Sequence, residues 1–133
     1  MSMLSSLNVA ASGMSAERVR LDVASSNLAN AETTRGPDGR PYARLDPVFE
    51  SVAHDDGSVG VQVAAINKDS TGPRPVYMPD HPDADANGYV QLPNVNPVHE
   101  VVNLMSAQRG YDANATAFET GKALMQRALD IVR

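Results

Sequence analysis

Two clusters carry residue types that hold cations, and each lacks a ligand its chemistry requires. Asp83-Ala84-Asp85-Ala86-Asn87-Gly88 places side-chain oxygens at positions one, three and five and glycine at six, the opening half of a calcium loop. Position twelve, which should be a bidentate Glu, is Asn94, and Pro82 and Pro93 stand where helices should flank the loop. The segment reads better as a solvated turn whose Asp and Asn side chains bond their own backbone. His99-Glu100-Val101-Val102-Asn103 begins like a zinc-protease helix, but Asn103 replaces the second His. The other imidazoles, His54 and His81, fall in turn-rich sequence, and there is no cysteine to supply a thiolate, a disulfide or a nucleophile. His54-Asp55-Asp56 contains an acid/base set, yet Gly57 and Ser58 follow it and mark an exposed turn. An enzyme built on His54, His81, Asp83 and Asp85 is the catalytic alternative. With no nucleophile motif or phosphate loop, the expectation is a non-enzymatic chain with no catalytic residue, no metal and no cofactor.

The elements that would carry such residues are divided by composition. All nine prolines and six of nine glycines lie between Gly36 and Pro97. The ends are therefore almost free of helix breakers. The predicted organisation is an N-terminal helix in 1–35, a turn-rich small β domain in 36–96 and a C-terminal helix in 97–133. The net charge of −5 sits in the middle segment, with nine acids against four bases. That balance argues against nucleic acid as a partner. No apolar run is long enough to span a bilayer, and Met1 to Leu7 lacks the basic start and apolar stretch of a secretory signal.

Leu4, Leu7, Met14, Leu21 and Leu28 recur in steps of three and seven along the first segment. Leu104, Tyr111, Phe118, Met125 and Val132 recur every seven residues along the last, which starts with Asn96 as N-cap and Pro97 at the first helical position. The fold class expected is mainly α, with long terminal helices forming a coiled-coil-like hairpin and a short β-rich middle. Extended pieces are expected at 42–49, 59–63, 76–78 and 89–92. The many Ser, Asn and Gly residues of the first helix make it marginal alone. Two helices cannot cover two broad apolar faces, so further copies are the expected cover.

The residues also carry a family resemblance. Ser25-Ser26-Asn27-Leu28-Ala29-Asn30-Ala31, closing the first helix, is similar to the signature of the flagellar rod and hook axial proteins. Gly36 to Tyr42, Gly88 to Val95 and Met105 to Asn114 resemble the proximal-rod type of that family. Thr33-Thr34-Arg35-Gly36-Pro37 departs from the Thr-Pro-Gly-aromatic turn of distal rod and hook relatives, and the middle lacks their large inserted domain. The resemblance implies a structural subunit of the proximal rod in the periplasm, exported by the flagellar type III apparatus without a cleaved signal. Its implied partners are copies of itself, other flagellar rod proteins and the export apparatus. The helices would form an inner tube around the export channel and pass motor torque. The ten stripe residues would then pack helices within and between subunits; of the family motif, Asn27, Leu28, Ala29 and Asn30, the two asparagines would cap or bridge at the turn below. A type III secreted adaptor forming one discrete helical complex is the competing expectation.

Overall fold

The structure, a computed structural model, describes residues 2–132; Met1, Arg133 and the side chain of Val132, the last residue of the expected C-terminal stripe, lie outside the described residues. Two helices, α1 (Met3–Ala29) and α2 (Pro97–Val132), enclose four strands in sequence: β1 (Leu45–Ala53), β2 (Val59–Lys68), β3 (Arg74–Tyr77) and β4 (Tyr89–Leu92). The strands pair as two separate antiparallel hairpins, β1 with β2 and β3 with β4.

Local chemistry sets the ends of each element. Ser2 caps α1, its Oγ accepting from the Ser5 N–H at 3.1 Å. Asn30 closes the same helix, donating from its backbone N–H and from Nδ2 to the Ser26 carbonyl at 3.1 and 2.9 Å. Asn96 Oδ1 accepts from the Val98 N–H at 3.0 Å to start α2, with Pro97 following, as its sequence predicts. The β1–β2 turn closes when Gly57 donates to the His54 carbonyl at 2.9 Å, and the positive φ of 78° explains glycine there. Opposite Val48 and Phe49, β2 has Ala64 as an extra residue, a bulge that increases the twist of the ribbon.

The helices run antiparallel in a register marked by Leu7 against Gly121, Gly13 against Asn114, Glu17 against Gly110 and Asn27 against Glu100. The β1–β2 hairpin lies along α1: Leu45 meets Asn27, Val61 meets Ser12, and Asp56 in the turn reaches Ser5. One helix thus has a helical neighbour on one side and a β ribbon on the other. Between α1 and β1, the chain makes a short excursion in which Tyr42 donates to the Thr33 carbonyl at 3.1 Å and Gly36 to the Arg40 carbonyl at 2.7 Å. Residues 42–44, expected as strand, instead bring Tyr42 and Arg44 back to the base of the helices. A small apolar core of Ala31, Val90, Leu92 and Val95 sits at this base.

Candidate functional site

The inward faces of both helices are built from small residues. Ala10, Ala16, Val23 and Ala24 of α1 and Ala107 of α2 are buried. A Cβ on Gly13 would lie 2.8 Å from Asn114 Cγ, one on Gly110 would lie 2.7 Å from Glu17 Oε1, and one on Gly121 would lie 2.9 Å from Leu7 Cδ2. These distances are shorter than real contacts, so a side chain at any of the three would displace the facing side chain of Asn114, Glu17 or Leu7, and each glycine leaves room for that group. Glu17 lies over Gly110, its Oε2 without a hydrogen-bond donor but 3.5 Å from Arg20 Nη1.

Of the stripe residues that sequence singles out, Leu7 packs on Gly121 in this seam. Met14, Leu21, Leu28, Leu104, Tyr111, Phe118 and Met125 are half-buried, and Leu4 is 62% exposed. The large side chains therefore flank a seam whose centre is Ala, Gly and Asn. Apart from Leu7, which sits over a glycine, these large side chains lie beside the seam and retain surface for other neighbours.

A polar clasp joins the helix bases to the first β hairpin. Asn27, fully buried, uses its whole amide: Oδ1 accepts from the Leu45 N–H at 2.8 Å and the Tyr42 hydroxyl at 3.0 Å, while Nδ2 donates to the Leu45 carbonyl at 2.8 Å and to Glu100 Oε2 at 3.3 Å. Two of those bonds mimic strand pairing, so a helix side chain takes the place of a neighbouring strand. Glu100, 1% exposed, accepts from Arg44 Nε at 2.6 Å. Burial disfavours the Arg44 charge, but the Glu100 hydrogen bond and the charges of Glu100, Asp46 and Asp69 outweigh it, leaving the guanidinium pKa above its ordinary value. Glu100 could be read from sequence only as a favourable charge at a helix N-terminus; its partner lies 56 residues earlier.

A second tie joins the loop before β4 to the excursion after α1. Asp83 accepts from the Thr34 hydroxyl at 2.7 Å and pairs with Arg35, and the Thr34 bond holds its carboxyl below the usual range. Asp85 Oδ1 accepts from the Asn87 and Tyr89 N–H groups at 2.8 and 2.9 Å. The Asp83 and Asp85 carboxylates that resembled calcium ligands are engaged by protein donors, Asp85 in the manner of an Asx turn. Among the described residues, His54 is exposed in the β1–β2 turn while His81 accepts from the Asp83 N–H through Nδ1 at 3.0 Å, and the structure does not gather them with a third ligand.

Two serines that sequence counted only as poor helix formers hold the hairpin to α1. Ser12 Oγ accepts from the Val61 N–H at 3.2 Å while donating to the Val9 carbonyl at 2.7 Å. Ser5 is buried, as is Ser58, whose N–H and hydroxyl hold the Asp56 carboxyl below its ordinary pKa.

Comparison of the sequence with known proteins matches the chain to one group. Residues 7–37 match the family model described as flagella basal body rod protein, and residues 86–131 match the C-terminal model of the flagellar basal body rod FlgEFG proteins. The chain is 41% identical to the flagellar basal-body rod protein FlgC of Borreliella burgdorferi over 151 aligned positions, covering 100% of this chain and 99% of the relative. It is 43% identical to FlgC of Salmonella typhimurium with 98% of each chain covered, and 42% identical to FlgC of Bacillus subtilis with 95% of each covered. The two matched models cover most of both helices, with the seam and the clasp residues Asn27 and Glu100, while Tyr42, Arg44 and Leu45 of the clasp lie between them.

Proposed function

The chain belongs to the flagellar basal-body rod protein family, and we infer from this that it is a structural subunit of the rod, polymerising through its terminal helices. The observation that carries this reading is similarity to FlgC proteins along essentially the whole chain. The physics supports it. The seam inside one molecule is made of Ala, Gly and Asn, so the leucines, valines and methionines on the flanks are available to bury against other subunits. That burial contributes about 25 cal/mol per Å² of apolar surface removed from water. The subunit works in the periplasmic rod among copies of itself and other rod proteins, and reaches it through the flagellar type III export apparatus. It does no chemistry. The helices form the inner layer around the export channel, and their side-by-side packing divides the torque over many seams. The ten stripe residues, Leu4 to Leu28 and Leu104 to Val132, supply the packing between helices, with 1–35 and 97–133 as the inner unit and 36–96 as the connecting unit.

Leu21→Asp and Phe118→Asp test this reading. Each places a charge on a half-buried flank, so the expected outcome is loss of swimming and of rods beyond the inner-membrane ring, with a soluble, folded subunit. Normal swimming by both variants, or a stable complex with a single partner in place of rods, would overturn it.

A further inference from the structure

Three glycines have a positive φ, Gly39 at 75°, Gly57 at 78° and Gly88 at 81°, and an Asp or Asn precedes each. In all three turns the glycine N–H donates to the carbonyl three residues earlier, at 3.0, 2.9 and 3.0 Å. Asp38 and Asp56 carry carboxylates, whereas Asn87 carries an amide whose nitrogen can leave as ammonia. Asn87-Gly88 is the one Asn-Gly pair in the chain, and with no side chain at 88 the backbone nitrogen meets little hindrance on its way to Asn87 Cγ.

The fold holds that nitrogen back. Gly88 is buried, and a Cβ on it would lie 2.8 Å from Tyr77 Cε2. Its peptide groups are fixed on both sides, the N–H by the Asp85 carbonyl and the carbonyl by the Met78 N–H at 2.8 Å. Asp85 Oδ1 fixes the neighbouring Asn87 and Tyr89 N–H groups as well. The Asn87 side chain is exposed, so water reaches the amide while the nucleophile is tied down.

We propose that Asn87 is a site of spontaneous deamidation that the closed turn suppresses, so that the chain is modified there while unfolded and protected once folded. The Gly88 nitrogen gives up its proton to water or hydroxide and bonds to Asn87 Cγ; the Cγ–Nδ2 bond breaks, and ammonia leaves after taking a proton back. The cyclic imide then takes up water and opens at either carbonyl, leaving an aspartyl or an isoaspartyl residue at 87. The isoaspartyl form lengthens the backbone by a carbon inside a turn closed by Asp85 and Tyr89, and either form sets a second carboxylate beside Asp85. Tyr89 leads into the buried Val90 and Leu92, and Asp83 on the other side is tied to Thr34 and Arg35. Modification therefore loosens the β3–β4 hairpin where it joins the base. The proposal stands independently of the rod reading.

The full chain, incubated folded and in urea at the same mildly alkaline pH, tests it. Mass spectrometry follows loss of the amide at 87, and separate elution at equal mass reveals the isoaspartyl product. The unfolded chain should lose the amide at least about tenfold faster than the folded one. Asp85→Ala removes the acceptor of two bonds in the turn, so it should deamidate faster than the parent when both are folded and at the same rate when both are in urea. Asp85→Asn keeps an Oδ1 acceptor and should restore the slow rate. Equal rates for the folded and unfolded parent, or an amide that survives in the unfolded chain, would overturn the proposal, as would a folded Asp85→Ala chain no faster than the parent. Should Asp85→Ala fail to fold, the parent and Asp85→Asn decide: protection in both supports the proposal, and its absence from either overturns it.

Discussion

At the residue scale, the arrangement depends on a few polar groups whose bonds are long in sequence. Glu100 is buried with one guanidinium and one amide as partners, so removing the cation leaves an uncompensated charge. Arg44→Met should lower stability by about 3–5 kcal/mol in urea unfolding. The double change Arg44→Met with Glu100→Leu should recover most of that loss, and the difference measures the coupling. Asp83 gives a pH test. Its folded pKa is depressed, first through the Thr34 hydroxyl, so its contribution is present above the unfolded value near 3.8 and is lost as pH falls through the lower folded value. A carboxyl NMR titration should therefore place its midpoint below that value in the native chain and closer to it in Thr34→Val.

At the scale of elements, glycine governs how closely the helices approach, and the three seam glycines should not respond alike. At Gly121 the added Cβ meets only the tip of Leu7, which can rotate, so Gly121→Ala should gain most of the helix-propensity difference of about 1 kcal/mol. At Gly13 it meets the amide of Asn114, itself held by a 2.9 Å bond from Nδ2 to the Gly110 carbonyl. Gly13→Ala should therefore be destabilising despite the same propensity gain. Thermal unfolding of the two variants should move in opposite directions. The serines of α1 follow a similar logic: what weakens the helix in isolation gives the β1–β2 hairpin its hydrogen-bond partners.

For the whole molecule, the covered and uncovered surfaces divide along its length. The clasp and the small apolar core lie at the base, whereas α2 extends beyond α1 at the opposite end. Ending the chain after Met125 removes only helix beyond the start of α1. The shortened subunit should keep its mid-helix circular dichroism per residue and a melting temperature within a few degrees, yet fail to enter rods. Loss of the monomer fold would instead show that the overhang stabilises the subunit itself.

The positions of both helices were legible because proline is confined to 37–97 and Asn96-Pro97 is a strong start signal. The extended piece at 59–63 was legible from alternation, and the family from Ser25–Ala31 with the segments after it. Which face of α1 points inward was not. Hydrophobic period marks where large side chains recur, and that stripe runs through Leu4, Leu7, Met14 and Leu21. The tertiary structure buries Ala10, Ala16 and Ala24 and sets Gly13 against Asn114, because a helix packed against both α2 and the β1–β2 hairpin has room for small residues there. The clasp was equally hidden: Asn27, Arg44 and Glu100 are far apart in the chain, and only the antiparallel register and the returning excursion at 30–44 bring a carboxylate, a guanidinium and an amide close enough to replace water.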